Sequence, residues 1–463
     1  MKVIIFDDKV KLYKHILDNN NIESKTLLLP TGSTPLGLYN EIIKRNLDFS
    51  KTTTFNLDEY YPIEKNNPDS YHNYMFNNLF NHITIPHENI HLLDGNTDYV
   101  EYEWIQYNNL IKNNPIDIAF LGVGINGHIA FNEPYSDSSS TTRLVELTES
   151  TKEINKINYN SALTFAISEI LSSKKIILMA SGKSKAKIIY EFINSTVPRN
   201  DLPVSYLLNH PNVELYVDND AFSDMLNLSP TFMKYNKILI FSPHPDDDVI
   251  GMGVTIKKFI ELNKDVTIVY QTSGANGGNI ITRQDESINA LKILGLNDKT
   301  KIIFGNTPFY NKNNIDNIDN IDNINNIDDI NYTLDIIQSI NPDVIFFAGD
   351  ICDPHKTHLI CNNIVKQCVR ILSNIDAYNY YSVWYSPPCN EYCTKEYFTK
   401  NLMDLKIESI KAHKSQLNPI FIGELDTEFY NHIEKRNKCD SQQSFSDIYL
   451  EGFTERILYK FLR

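Results

Sequence analysis

The sequence predicts an α/β protein of two domains, each a mainly parallel sheet flanked by helices, and three observations carry that reading. Short apolar runs alternate with helix-like stretches at residues 3–6, 27–29, 53–57, 116–121, 176–180 and 213–217. The alternation starts again at residues 237–241 and continues through 266–270, 301–304 and 344–347, so the chain begins an α/β domain twice. A length of 463 residues also exceeds what one hydrophobic core usually supports.

These signals place a first domain at residues 1–228, a linker at 229–236 around Ser229-Pro230, and a second domain at 237–463. Residues 311–331 repeat Asn-Ile-Asp triplets without a strong burial pattern and are expected to form a solvated, low-complexity insertion, mobile or at best a polar helix lying on the surface.

Composition narrows the function classes. The chain is 42% hydrophobic and 22% charged, which supplies apolar material for two cores and argues against disorder throughout. Its net charge of −15, from 43 basic and 58 acidic side chains, repels nucleic acid and anionic membranes, and no basic patch reverses it. Neither a signal-peptide pattern nor an apolar stretch near the roughly 20 residues of a membrane span is found, so a cytoplasmic protein is expected. The six cysteines, Cys352, Cys361, Cys368, Cys389, Cys393 and Cys439, lack a secreted framework and are expected to be reduced. Cys389 and Cys393 have no partner pair with which to form a metal site.

Three motifs follow strands of the first domain. Thr31-Gly32-Ser33-Thr34-Pro35 precedes a helix, where a Ser or Thr cap, an early proline and free N–H groups suit an anion such as phosphate. A well-capped helix without a ligand has the same pattern. Asp58-Glu59 follows the run 53–57 and offers a general base at the strand edge where open α/β sheets bind ligands. Residues 122–134 then combine three glycines with Asn126, His128 and Glu133, an imidazole and a carboxylate fit for acid–base chemistry near neutral pH. A lone histidine is usually structural, but this one follows two other strand-end motifs.

In this order and spacing, together with Ser181-Gly182-Lys183-Ser184-Lys185-Ala186 and Leu208-Asn209-His210-Pro211, residues 1 to about 220 resemble the glucosamine-6-phosphate deaminase/isomerase family. The resemblance implies an aldose–ketose isomerisation of the open-chain amino sugar followed by loss of ammonia, giving fructose 6-phosphate without an organic cofactor. It implies that Asp58 moves a proton between C2 and C1 and that His128, supported by Glu133, assists ring opening. Thr31, Gly32, Ser33, Thr34, Arg143 and Lys185 would hold the sugar phosphate. Asn126 stands where the family has aspartate, removing a negative charge beside the imidazole, and Ile157 stands where the family usually has a phosphate-binding arginine, leaving Lys156, Lys185 and the loop to do that work.

The second domain opens with His244-Pro245-Asp246-Asp247-Asp248 at a strand end, then Gly251-Met252-Gly253 on a helix. After the run 344–347 come His355 and His358, one helical turn apart. A histidine and carboxylates at one strand end, with further histidines at another, suit a hydrolytic zinc site with an open position for water. These motifs, and more weakly Ala412-His413-Lys414-Ser415-Gln416, resemble the zinc de-N-acetylases of the N-acetylglucosaminyl-phosphatidylinositol deacetylase family. The resemblance implies Zn2+ on His244, Asp247 and His358, Asp246 as the general base for the attacking water, and His355 as oxyanion stabiliser. Asp248 replaces the usual glutamate, and Thr357 replaces an aspartate that orients its neighbour.

Both domains are thus expected to be Rossmann-like. The expected function is deamination of glucosamine 6-phosphate joined to zinc-dependent deacetylation of an N-acetylglucosamine derivative, in amino-sugar catabolism. The partners expected are an amino-sugar phosphate and an N-acetylated amino sugar, and the resemblance implies a homo-oligomer. Two alternatives stay open: a non-catalytic sugar-phosphate sensor beside an active deacetylase, and an active deaminase beside a structural zinc domain.

Overall fold

The apolar runs become parallel strands whose ends gather the polar motifs. The computed structural model describes residues 1–274, 279–305, 327–349, 355–381, 394–416, 433, 437 and 448–455. They divide into two units, Met1–Asp224 and the residues from Met225 onward.

The first unit contains β1 (Lys2–Phe6), β2 (Thr26–Leu29), β3 (Thr53–Asn56), β4 (Asp58–Tyr61), β5 (Ile90–His91), β6 (Ile118–Leu121), β7 (Arg143–Glu146), β8 (Ser161–Thr164), β9 (Lys175–Ala180) and β10 (Val213–Asp218). Seven of them form a sheet in the order β1-β10-β9-β6-β2-β3-β5, and every neighbouring pair is parallel. Parallel sheets are covered on both faces, which is why β6 is buried at every position. On one face Leu27, Leu29, Phe120 and Met179 pack with Leu12 and Ile16 of the helix Lys9–Asn19 and with Leu38 and Ile42 of the helix Leu36–Arg45. A small antiparallel sheet, β4-β8-β7, continues from the end of β3 and aligns Asp58, Thr164 and Arg143 in register.

The second unit contains β11 (Lys237–Ser242), β12 (Asp265–Tyr270), β13 (Thr300–Phe304), β14 (Val344–Ala348), β15 (Asp376–Tyr380), β16 (Thr394–Thr399) and β17 (Ile448–Glu455). Their order is β13-β12-β11-β14-β15-β17-β16. The first five strands are parallel and β17 runs antiparallel to both β15 and β16, so this sheet is mainly parallel with antiparallel pairing at one edge. The helix Asp247–Glu261 leaves regular geometry at Met252 (φ −144°, ψ 28°). Beyond the break, the buried Glu451 carboxylate accepts the Val254 and Thr255 amides at 3.0 and 2.8 Å and pairs with Lys406 at 2.7 Å.

At two segments the packing adds detail to what the sequence predicts. Residues 229–236 are a packed part of the second unit: Phe232, on the short helix Pro230–Met233, is fully buried with its ring centroid 5.0 Å from Phe346 and 5.1 Å from Tyr378. Leu228 and Tyr235 join the same core, so this short helix packs into the second unit. Of the triplet-repeat segment, residues 311–326 lie outside the described residues, but residues 327–331 begin the helix Ile327–Ile340, on which Asp329 is buried. Cys361 and Cys368 are free and buried, while Cys352, Cys389, Cys393 and Cys439 lie outside the described residues. No helix among the described residues is long and apolar enough to cross a membrane.

Phe232→Ala should destabilise the protein by about 3–5 kcal/mol, as emptied core aromatic sites do, seen as a lower urea midpoint. A linker residue would leave the midpoint unchanged.

Candidate active sites

The first site is a cavity of about 180 Å3 at the ends of the central strands of the first sheet, lined by Thr31, Gly32, Ser33, Thr34, Asp58, His128 and Lys185 among others. Three tyrosine hydroxyls fix the loop after β2: Tyr39 donates to the Pro30 carbonyl, Tyr74 to that of Gly32 and Tyr13 to that of Thr34, each at 2.5 Å. Gly32 sits at φ +90°, a conformation that favours glycine. The helix that follows is capped by Pro35 with no side-chain hydrogen bond, so the Ser/Thr cap expected from the sequence is absent there. Lys185 brings a half-buried ammonium to the cavity, anchored on the Val123 carbonyl at 2.8 Å, and burial lowers its pKa.

Asp58 and Glu59 are neighbours with separate jobs. Asp58 faces the cavity, its Oδ1 buried without a hydrogen-bond partner. Burial, aided by the Glu59 charge, pushes its carboxyl up to about 8, and Thr31 offsets this only in part. Glu59 points away and accepts from Ser70 Oγ at 2.8 Å and from the Tyr71 and His72 amides at 2.9 Å, capping the helix Tyr71–Asn78. Its hydrogen-bonded oxygens mark it as structural.

The glycine-rich turn after β6 holds an imidazole over backbone. A Cβ on Gly124 would lie 2.4–2.5 Å from the His128 ring, so only glycine fits there. His128 Nδ1 stands 3.5 Å from Glu133 Oε2, too long for a good hydrogen bond but close enough for charge attraction. Asn126 Nδ2 donates to that same Oε2 at 2.7 Å and receives the His128 amide at 3.2 Å on its Oδ1. The Thr151 hydroxyl donates to the other oxygen, Oε1. Burial works to raise the Glu133 carboxyl, but His128, Thr151 and Asn126 together outweigh it and hold it below its ordinary value. Asn132, fully buried, ties the turn to β8 by donating to the Phe165 carbonyl at 2.7 Å.

Other motif residues stand outside the cavity. Arg143 bonds Asn132 Oδ1 at 3.2 Å and is not among the lining residues. Ile157 packs beside Tyr60 and Phe131, and Lys156 ends a helix at φ 55°. Lys183 pairs with Asp224 at 2.9 Å. His210 takes the Asn212 amide at Nδ1 (3.2 Å), so its Nε2–H donates to the Ser173 carbonyl at 2.7 Å, a structural tie.

The second site forms where the adjacent, parallel strands β11 and β14 end. His244 Nδ1 lies 3.1 Å from Asp247 Oδ2, His358 Nε2 lies 3.2 Å from the same oxygen, and the two ring nitrogens are 3.2 Å apart. Two tetrahedral zinc ligands at about 2.0–2.1 Å stand about 3.3 Å from each other, so these three atoms fit a zinc ion. The His355 ring stacks 4.4 Å from His358 and meets His244 edge-on at 5.0 Å. Burial opposes the Asp247 charge, but His358 and His244 hold its pKa well below the usual carboxylate range. Asp248 is fully buried, bonded by the Tyr270 hydroxyl at 3.2 Å, and burial pushes it up to about 7. Gly251 lies against the Tyr380 ring.

Four features here have no motif in the sequence reading. Thr151 and the three tyrosines act from segments distant in sequence. Arg283, buried, bonds Asp246 Oδ2 at 3.1 Å and the Gly274 carbonyl at 2.9 Å. Glu286 accepts the Ser415 amide and hydroxyl at 2.7 and 2.6 Å, which anchors the stretch after His413.

Comparison with known proteins matches both halves. The family model for glucosamine-6-phosphate isomerases/6-phosphogluconolactonase matches residues 11–216, and the GlcNAc-PI de-N-acetylase model matches residues 239–369. Through its N-terminal half the chain belongs to the first of these families. The glucosamine-6-phosphate deaminase of Clostridium acetobutylicum is 42% identical over 238 residues, 48% of this chain and 98% of that protein. That of Clostridium novyi is 42% identical over 242 residues, 49% of this chain and 100% of that protein. A solved monomeric glucosamine-6-phosphate deaminase is 35% identical at a TM-score of 0.46, covering 48% of this chain and 99% of that one.

The Asp58 carboxyl is raised to about 8 in the folded protein against about 3.9 unfolded. The unfolded chain therefore binds fewer protons between those values, and this group's contribution to stability falls as pH rises through that window. Asp58→Asn should raise the melting temperature over wild type by a margin that widens from about pH 5 to about pH 9, measured by thermal unfolding across pH. A margin independent of pH would contradict the raised carboxyl.

Proposed function

We propose that the N-terminal unit deaminates glucosamine 6-phosphate to fructose 6-phosphate and ammonia, and that the C-terminal unit removes acetyl from an N-acetylglucosamine derivative. The observation that carries the first part is one cavity lined by Asp58, His128, the loop at residues 31–34 and Lys185. The loop and Lys185 supply donors for a phosphate, which leaves the sugar carbons toward Asp58 and His128. His128 moves a proton on the ring oxygen as the sugar opens. Asp58 then takes the proton from C2 and returns it to C1, which leaves an imine at C2; water adds to that carbon and the C2–N bond breaks, giving the C2 ketone and ammonia.

The protonation of Asp58 suits this order. In the empty cavity burial favours its neutral form. A substrate ammonium on C2 brings the opposite charge that favours the carboxylate, so the base ionises when its substrate arrives. Asn126 does not weaken this arrangement: as an amide it donates to Glu133, where an aspartate would need a shared proton.

In the second unit His244, Asp247 and His358 would hold zinc, which supplies a Lewis acid for water and the amide carbonyl. Asp246, fixed by Arg283, takes the proton of the attacking water. His355 is placed to meet the developing oxyanion. The freed amine is the functional group that the first site consumes, so the two reactions form successive steps of amino-sugar breakdown.

Purified protein should release ammonia from glucosamine 6-phosphate, and Asp58→Asn and His128→Ala should each lower turnover on the order of 10²–10⁴-fold. Acetate release from N-acetylglucosamine derivatives should vanish with chelator or Asp247→Asn while ammonia release persists. Sugar-phosphate binding without turnover would favour the sensor reading; ammonia release without any deacetylation would favour a structural metal domain.

A further inference from the structure

Glu133 is held by more than its neighbours in the glycine-rich turn. One donor, Asn126, comes from that turn. The other, Thr151, comes from the helix Glu149–Asn155, in the connection between β7 and β8. Thr151 is buried on that helix, 1% exposed, and among the described residues of this connection it is the one that lines the cavity. Its hydroxyl has a fixed direction: Thr148 Oγ1 donates to Thr151 Oγ1 at 3.2 Å, so the Thr151 proton goes to Glu133 Oε1.

We infer that Thr151 is a positioning residue for the deaminase reaction, whose hydroxyl fixes Glu133 so that its Oε2 faces His128. The inference rests on the deaminase reading of the site. Glu133 has one neutral donor on each oxygen, and a carboxylate so held stays anionic and cannot rotate. Neutral donors stabilise the charge without neutralising it, which leaves it free to act on the imidazole 3.5 Å away. His128 is the titratable group that acts on Glu133, beside the two neutral donors. A buried valine would fill the same space yet donate nothing.

The test compares Thr151→Val and Thr151→Ser in the full chain. With the valine, kcat for ammonia release falls about tenfold or more, as for loss of one hydrogen bond to a charged group, while KM for glucosamine 6-phosphate changes little. Loss of a bond to the carboxylate raises the Glu133 pKa, so the acid limb of the kcat profile moves to higher pH. The Glu133 carboxyl, followed by 13C NMR in glutamate-labelled protein and assigned with Glu133→Gln, titrates at higher pH in the valine variant. Serine restores all three properties. A wild-type Glu133 titration in the valine variant, or a serine variant as impaired as the valine one, would overturn the inference. The titration needs no turnover, so failure of the wild type to release ammonia would overturn the deaminase reading while the NMR still decides the role of Thr151.

Discussion

Parallel pairing of the central strands is the constraint on which both sites depend. In a parallel sheet every strand ends at the same edge, so loops far apart in sequence are forced to meet there. In the first unit β2 pairs with β3 and β6, which brings the loop at residue 31, Asp58 and the turn at 122–128 to one cavity. In the second, the register Ile240↔Phe346 between β11 and β14 carries His244 and His358 to within 3.2 Å across 114 residues of chain. Hydrophobic burial sets the register, and the register sets the chemistry.

At that edge the same side chain, a buried carboxylate, is used in three ways according to its partners. Asp58 has few partners and burial raises it toward neutrality, the state from which the proposed cationic substrate would ionise it. Glu133 has a donor on each oxygen and keeps its charge. Glu59 spends its oxygens on helix amides and leaves the chemistry altogether. In the second unit Asp247 lies between two imidazoles, an arrangement suited to a metal, whereas its neighbour Asp248 is buried against Tyr270. Hydrogen-bond count, more than position in the motif, distinguishes these roles.

The strands and the polar motifs at their ends were legible in the sequence because each is local: an apolar run followed at once by its glycine, histidine or carboxylate. What was not legible came from contacts between segments. Thr151 reaches Glu133 across 18 residues, Arg283 reaches Asp246 across 37, and no local pattern couples either pair. The capping role of Glu59 was not legible because the helix it caps, Tyr71–Asn78, begins twelve residues later. Residues 229–236 read as a linker because Ser229-Pro230 is a break signal, and only the packing of Phe232 against β14 and β15 reveals a core segment. Arg143 was expected at the phosphate only through the family resemblance, and its guanidinium bonds Asn132 Oδ1.

The central claim is that a buried Asp58 carries one proton from C2 to C1 of an amino-sugar phosphate. It is tested most directly with glucosamine 6-phosphate deuterated at C2, analysing the product by NMR. A carboxyl shielded from solvent should deliver a measurable share of the deuterium to C1 of fructose 6-phosphate. Complete loss of the label to water, or no fructose 6-phosphate at all, would contradict the account.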